Sequence, residues 1–141
     1  MKQIAIDKKQ HVFDCRVYYE DTDAAGIVYY ANYLKFIERA RTECLRNLGI
    51  SQSIIKEKFD LIFVVKKIYA DYFKPAKLDD CLEIRTTFLK IGRVSLQLDQ
   101  EVRVGAEIMF RAQVKLGVLN SIRNPSQLPT RIMDKIRQLG K

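Results

Sequence analysis

The chain predicts an α+β fold in which one long helix is enclosed by a curved antiparallel sheet of about five strands. Three observations carry that reading. A single stretch near residue 40 has helical apolar spacing over many turns. From residue 59 onward, four long segments are rich in β-branched and aromatic residues and are divided by short turns. The alternation of strand and helix that a doubly wound α/β sheet requires is missing.

The first element is the strand VFDCRVYY, residues 12–19, whose alternation places Phe13, Cys15, Val17 and Tyr19 on one face. The acidic run that follows breaks the pattern at Gly26. From about Ala31 to Leu48 the period becomes helical, with Tyr33, Leu34, Phe36, Ile37, Ala40, Cys44, Leu45 and Leu48 on one broad side. Gly49 is a fitting stop, and a rod of this length measures about 27 Å. A short helical turn is expected over Ser51 to Lys58.

The strands FDLIFVVKKIYADYF, LEIRTTFLKI, VSLQLDQEVRV and EIMFRAQVKLGVL come next. Pro75 closes the first of them, PAKLDD follows, and the later ones are divided at Gly92 and Gly105. The turns Ile91-Gly92-Arg93 and Val104-Gly105-Ala106 are short enough for antiparallel meander connections. The amphipathic piece TRIMDKIRQL, behind Pro129, reads as a final helix. An apolar helix face of this length needs a sheet to cover it, and the antiparallel strands supply one.

Composition bounds the rest. With 141 residues, 48% hydrophobic and 30% charged, residues 1–141 are expected to form one domain around one core. No apolar run is long enough to span a bilayer, and the start MKQIAIDKKQ has no signal-like apolar block, so a cytoplasmic protein without a transmembrane segment is expected. Cys15, Cys44 and Cys81 are widely spaced without a C-x-x-C pair, which favours buried free thiols over disulfides or a metal site. The net charge of +8 suits an anionic partner. Nucleic acid is disfavoured as that partner, because no aromatic-basic stripe runs along a strand.

The chemistry available is narrow. His11 is the single histidine and precedes the first strand, so Ser-His-Asp and Cys-His mechanisms would rest on it alone. Neither a P-loop nor a dinucleotide-binding glycine pattern occurs. What remains is EDTDAAGIVYYANY, residues 20–33, where Glu20, Asp21 and Asp23 gather ahead of the long helix. A solvated loop with Asp23 or Asn32 capping the helix is the plain structural reading. The functional reading is that Asp23 enters an apolar, aromatic neighbourhood at the helix N-terminus. There, free backbone N–H groups stabilise an oxyanion while a carboxylate works beside them. Gly26 lets the backbone approach a ligand or take φ > 0. Arg41 falls within the apolar arc of the helix, which predicts a buried or interfacial ion pair, for instance with an acid of the opening stretch.

The run YYEDTDAAGIVYYANYLKFIERARTECLR closely resembles the opening of the hot-dog-fold acyl-CoA thioesterases, in particular the 4-hydroxybenzoyl-CoA thioesterase-like group and its tol-pal-associated (YbgC-type) branch. FVVKKIYADYFKPAKLDDCLEI is similar to a second signature of that branch. The resemblance extends from about Phe13 to Val118 and implies a hot-dog fold that pairs into a homodimer or, as a dimer of dimers, a homotetramer. It implies hydrolysis of an acyl-CoA thioester, with coenzyme A as part of the substrate and no separate cofactor or metal. Acyl carrier protein is an alternative acyl donor.

By position the resemblance makes Asp23 the catalytic aspartate, as nucleophile or general base. It makes the backbone N–H at Tyr30, with Ala31 beside it, the oxyanion donor. The tol-pal branch usually carries histidine at the position of Tyr30, whereas the 4-hydroxybenzoyl-CoA branch has an aromatic there. A backbone donor survives that exchange, but an imidazole role does not. Tyr19 matches an aromatic lining the site, and core packing is its competing role. Val65 and Lys66, from FVVKK, match the substrate-binding segments, as do Arg93 and Ser95, from KIGRVS. Glu38 is a second carboxylate on the helix that some hot-dog thioesterases use.

Other readings follow from the same sequence. A hot-dog hydratase or dehydratase would need a histidine near the helix. A non-catalytic acyl- or CoA-binding module, or an adaptor for an envelope complex, would use the same fold. Its partner face would draw on the basic end formed by Arg123, Arg131, Lys135, Arg137 and Lys141.

Overall fold

The structure is a computed structural model that describes residues 10–140, so most of the MKQIAIDKKQ start and Lys141 lie outside the described residues. The elements run β1 (His11–Arg16), α1 (Asn32–Asn47), α2 (Gln52–Phe59), β2 (Leu61–Tyr72), β3 (Cys81–Ile91), β4 (Ser95–Val104), β5 (Glu107–Asn120) and α3 (Thr130–Gly140). The strands form one antiparallel sheet in the order β1-β3-β4-β5-β2. The glycine turns at Gly92 and Gly105 join β3 to β4 and β4 to β5 as hairpins, as their shortness predicts.

Helix α1 lies on the inner face of this sheet. Tyr33, Phe36, Ile37, Ala40, Cys44 and Leu45 are buried along it, against strand residues such as Ile84, Leu98, Val102 and Phe110. Leu34, expected on the same side, is instead exposed, because the apolar arc is centred on Phe36–Ile37 and Leu34 falls at its rim. Gly49, with φ +80°, ends the helix as expected. Among the described residues no helix is long and apolar enough to cross a membrane.

The first strand is shorter than its alternation predicts. After Arg16 the chain leaves β3: Val17 N–H donates to Asp80 O at 2.9 Å, and Asp79 N–H returns to Val17 O at 3.0 Å. A 3-10 turn over Tyr19–Asp21 follows, held by the Asp21 carboxylate, which accepts the Tyr18 N–H at 2.8 Å. A local side-chain cap here outcompetes the strand ladder. Tyr19 is consequently not a strand residue and is 84% exposed in the protomer, which excludes core packing within the protomer.

Arg41 is buried with no carboxylate in salt-bridge contact among the described residues, and Glu38 acts on it only through its charge. Its Nη1 donates to Gln100 Oε1 at 3.1 Å, and Gln100 Nε2 donates to Ile37 O at 3.0 Å and to Thr86 Oγ1 at 2.9 Å. Within the protomer, a neutral amide from the middle of β4 therefore stands where an ion pair with the opening acids was one expectation. Periodicity in the helix could not reveal a partner so far away in the chain.

The thiols divide. Cys44 is buried and Cys15 half-buried, and burial pushes their pKa values up to about 12 and about 11. Cys81 is exposed, against expectation, because it opens β3 on the face opposite Leu82.

His11 offers a pH handle. Its Nδ1 is buried with no hydrogen-bond partner among the described residues. Burial lowers its pKa below 6.5, while hydrogen bonding to Asn47 and the Glu43 charge partly oppose this. The unfolded chain therefore binds the proton first. Stability is full above about pH 6.5 and declines as pH falls from there toward the folded-state value. Urea unfolding between pH 7.5 and 5.5 is expected to show this decline in the native chain and a flatter profile in His11→Gln.

Candidate active site

The site begins with the loop between β1 and α1. Asp23 N–H donates to Ile27 O at 2.9 Å and Gly26 N–H donates to Asp23 O at 3.0 Å, with Gly26 at φ +81°. This is a tight turn closed by a glycine in the left-handed region, the three-residue hairpin geometry. Gly26 is thus a turn residue whose own N–H is already used. Its predicted role in letting the backbone take φ > 0 holds, and a Cβ at this position would meet nothing within 4 Å, so a ligand has room to come close.

Asp23 sits at the start of this turn. Its Oδ1 accepts the Ala25 N–H at 2.8 Å, an Asx turn that fixes the carboxylate, while Oδ2 has no hydrogen-bond partner among the described residues. Within the protomer Asp23 is exposed. It faces an open groove of about 380 Å³ bordered by Tyr19, Thr22, Gly26 and Leu78. The expectation of an apolar, aromatic neighbourhood is corrected here: Tyr19 is the one ring on this groove, because the Asx turn holds the carboxylate on the solvent side of the loop. The structure does bring Tyr19 and Asp23 to one groove.

The loop is clamped by the segment that follows β2. Val28 N–H donates to Ala76 O at 2.9 Å, Leu78 N–H to Gly26 O at 3.2 Å, and Ala76 N–H to the Tyr33 hydroxyl at 3.0 Å. Lys77 forms a β-bridge with Ile27. EDTDAAGIVYYANY and PAKLDD are therefore two halves of one construction, and the crossover from β2 to β3 holds the acid loop on the fold.

At the start of α1, Tyr29 N–H donates to Asp21 O at 3.0 Å, and Asn32 N–H donates to Tyr29 O at 2.8 Å. The Asn32 side chain donates to Asp21 O at 2.9 Å. Neither Asp23 nor Asn32 caps the helix, whose N-cap is Ala31 without a side-chain acceptor. The N–H groups of Tyr30 and Ala31 consequently have no acceptor among the described residues, and they stand at the positive end of the helix dipole. The Tyr30 ring is 63% exposed. It lies beside Tyr29 and Tyr72, with ring centres 5.0 and 6.3 Å away. A second hollow, of about 310 Å³, opens between this aromatic group and the chain after β2, lined by Ile27, Val28, Tyr33, Tyr72, Phe73 and Pro75.

The remaining predicted residues form a separate group. Lys66 is the bulged residue of β2 between Val65 and Lys67, and its side chain lies over Gly117, where a Cβ would come within 2.8 Å of Lys66 Cδ. Ser95 pairs with Gly117 from the other side. Arg93 stands two residues before Ser95 in the turn. Val65, opposite Leu116, is half-exposed at the sheet edge. Lys66 and Tyr72 are six steps apart along β2, about 20 Å, so the Lys66–Ser95 group stands well away from the Tyr72 end of that strand. Tyr72, missed at the sequence level, joins the first group: its hydroxyl donates to Tyr30 O at 2.9 Å. Nothing local distinguishes it from the other strand tyrosines. Among the described residues no cluster of acids, histidines or cysteines is arranged to hold a metal ion.

Comparison with known proteins bears on this geometry. The thioesterase superfamily profile matches residues 25–107. The chain is 43% identical over 108 residues to the acyl-CoA thioesterase YbgC of Haemophilus influenzae, covering 77% of this chain and 79% of the relative. It is 41% identical over 125 residues to the acyl-CoA thioesterase YbgC of Helicobacter pylori, covering 82% and 91%. The crystal structure of a probable thioesterase from Bartonella henselae superposes with a TM-score of 0.82 at 32% identity, covering 85% of this chain and 99% of that one.

Proposed function

The chain belongs to the thioesterase superfamily, and on that premise we propose that it hydrolyses acyl-CoA thioesters to a free carboxylic acid and CoA. Asp23 is the working carboxylate and the N–H groups of Tyr30 and Ala31 are the oxyanion donors. One observation carries this reading. A carboxylate with one oxygen tied to Ala25, the other having no hydrogen-bond partner among the described residues, sits on a loop hydrogen-bonded to the start of α1, where the N–H groups of Tyr30 and Ala31 lack acceptors among those residues. Whether Asp23 attacks the thioester carbonyl or activates a water, negative charge develops on the carbonyl oxygen. Preorganised N–H donors stabilise that charge more than they stabilise the ground state.

CoA also needs cations and hydroxyls for its phosphates. Lys66, Ser95 and Arg93 supply these away from the Tyr72 end of β2, with Val65 as an apolar wall, and a thioester joined to a nucleotide by an extended arm suits two separated groups. No further cofactor enters this scheme. The exposed Tyr30 ring leaves its backbone as the functional part, so tyrosine in place of histidine alters the lining rather than the donor.

Among the described residues β2 is a long edge strand with its outer side unpaired, and Val65, Tyr72 and Phe73 are exposed along it or just past its end. Edges of this kind are normally covered. A second copy pairing there makes a homodimer with a joined sheet and walls the open groove at Asp23. Light scattering of the purified chain is expected to give a dimer mass or a multiple of it, and a monomer would remove this part of the scheme.

The assay that tests the function is release of free thiol across a panel of short, long and aromatic acyl-CoA substrates, with acyl carrier protein thioesters as a further donor. Turnover of at least one member is expected. Tight binding of acyl-CoA with no release from any would instead make the protein a binding or adaptor module.

A further inference from the structure

The two oxyanion donors belong to consecutive peptide units, and each unit is held through its carbonyl. The Tyr30 N–H shares a peptide with the Tyr29 carbonyl, which accepts Asn32 N–H at 2.8 Å within the local turn. The Ala31 N–H shares a peptide with the Tyr30 carbonyl. The residue four positions on from Tyr30, Leu34, donates to Ala31 O at 3.2 Å rather than to Tyr30 O. The Tyr30 carbonyl is met instead from β2, by the Tyr72 hydroxyl at 2.9 Å.

We propose that Tyr72 is a positioning residue for the thioesterase reaction, whose hydroxyl orients and polarises the Tyr30–Ala31 peptide so that the Ala31 N–H is aimed at the developing oxyanion. This inference rests on the preceding assignment of Ala31 N–H as an oxyanion donor. A trans peptide is planar, and its C=O and N–H point in opposite directions. Holding the carbonyl oxygen therefore holds the direction of the N–H. Donation to the carbonyl also draws charge across the amide and makes its N–H a stronger donor, as in any hydrogen-bonded chain.

Tyr72 is built for this part. Its ring packs edge-on against Tyr33 and Phe110, with centres 5.6 and 4.9 Å away, and the Tyr30 ring is 6.3 Å distant. Tyr33 is itself stacked on Phe110 at 4.9 Å and anchored by Ala76 N–H, so the support reaches the core. Burial and the neighbouring Tyr30 raise the Tyr72 pKa above its ordinary value of 10, so the hydroxyl stays a donor across the working range of pH. Because Tyr72 is the last residue of the exposed edge strand, any partner that covers β2 also bears on the geometry of the oxyanion donors.

The test is Tyr72→Phe in the full chain, assayed on the acyl-CoA of the panel that the native chain hydrolyses fastest, with Tyr69→Phe on the outer sheet face as control. Phenylalanine keeps the ring packing and removes only the hydroxyl. The expected result is a fall in kcat of roughly tenfold, with KM changed less than about twofold and an unchanged melting temperature. Tyr69→Phe should behave as the native chain. On an Asp23→Asn background, the infrared carbonyl stretch of the same bound acyl-CoA should move back toward its free value when Tyr72→Phe is added. An unchanged kcat, or a loss confined to KM, would overturn the proposal. The two readings separate cleanly. If Asp23→Asn is inactive and Tyr72→Phe is native-like, this inference alone fails. If Asp23→Asn is fully active while Tyr72→Phe loses kcat, the Asp23 assignment fails and this inference stands.

Discussion

Asp23→Asn is expected to lower kcat for thiol release by about 10³-fold, the scale of losing a nucleophile or general base outright. The fold should not register the change. Asparagine is nearly isosteric, and its carbonyl oxygen still accepts the Ala25 N–H that Oδ1 accepts now at 2.8 Å, so the Asx turn and the hairpin closed by Gly26 persist. What disappears is the negative charge and lone-pair basicity of Oδ2. Circular dichroism, melting temperature and oligomeric mass should match the native chain while the thiol assay falls to background. Full activity would transfer the role elsewhere, and the acid to examine next is Glu38. That carboxylate is exposed on α1 and accepts the Thr42 hydroxyl at 2.9 Å, an ordinary surface contact that offers little reason for catalysis.

The largest stability effect is expected at Gln100→Leu, about 3–4 kcal/mol by urea unfolding. Gln100 is fully buried and binds three groups on two elements: the Arg41 guanidinium and the Ile37 carbonyl of α1, and the Thr86 hydroxyl of β3. Leucine has similar bulk, so the loss is electrostatic rather than steric. A guanidinium already disfavoured by burial, as its lowered pKa reflects, would lose the amide oxygen it donates to. The cycle has a distinctive form. Arg41→Met alone leaves the Gln100 oxygen without its donor, costing about 1–3 kcal/mol, whereas the double variant removes both sides of the contact and should cost clearly less than the sum. Strict additivity would mean that the bond at 3.1 Å contributes nothing.

The sequence was most legible where structure is local. The period of α1, the strand segments, the glycine turns at Gly49, Gly92 and Gly105, and the acid loop with its Gly26 all follow from backbone preference and side-chain spacing within a few residues. The family resemblance rested on the same two stretches that the fold joins, and the comparisons agree with it. Where reading failed, a short-range rule met a competitor. Tyr19 alternates correctly for a strand, yet the Asp21 carboxylate caps a 3-10 turn and removes it from the sheet. Arg41 stands out as a charge in an apolar arc, but the amide it donates to is 59 residues away.

By itself, then, the sequence determined which segments are helix or strand, that a carboxylate-bearing turn precedes the long helix, and which family the chain resembles. Only the tertiary structure decided that PAKLDD clamps that turn, that Gln100 receives Arg41, and that Tyr72 reaches Tyr30 from 42 residues away. It also decided that β1 and β2 lie at opposite edges of the sheet. The physical reason is common to all of these. Periodicity and turn chemistry are properties of neighbours along the chain. The pairing of distant groups is settled by which buried donors and acceptors meet once the helix has docked on the sheet.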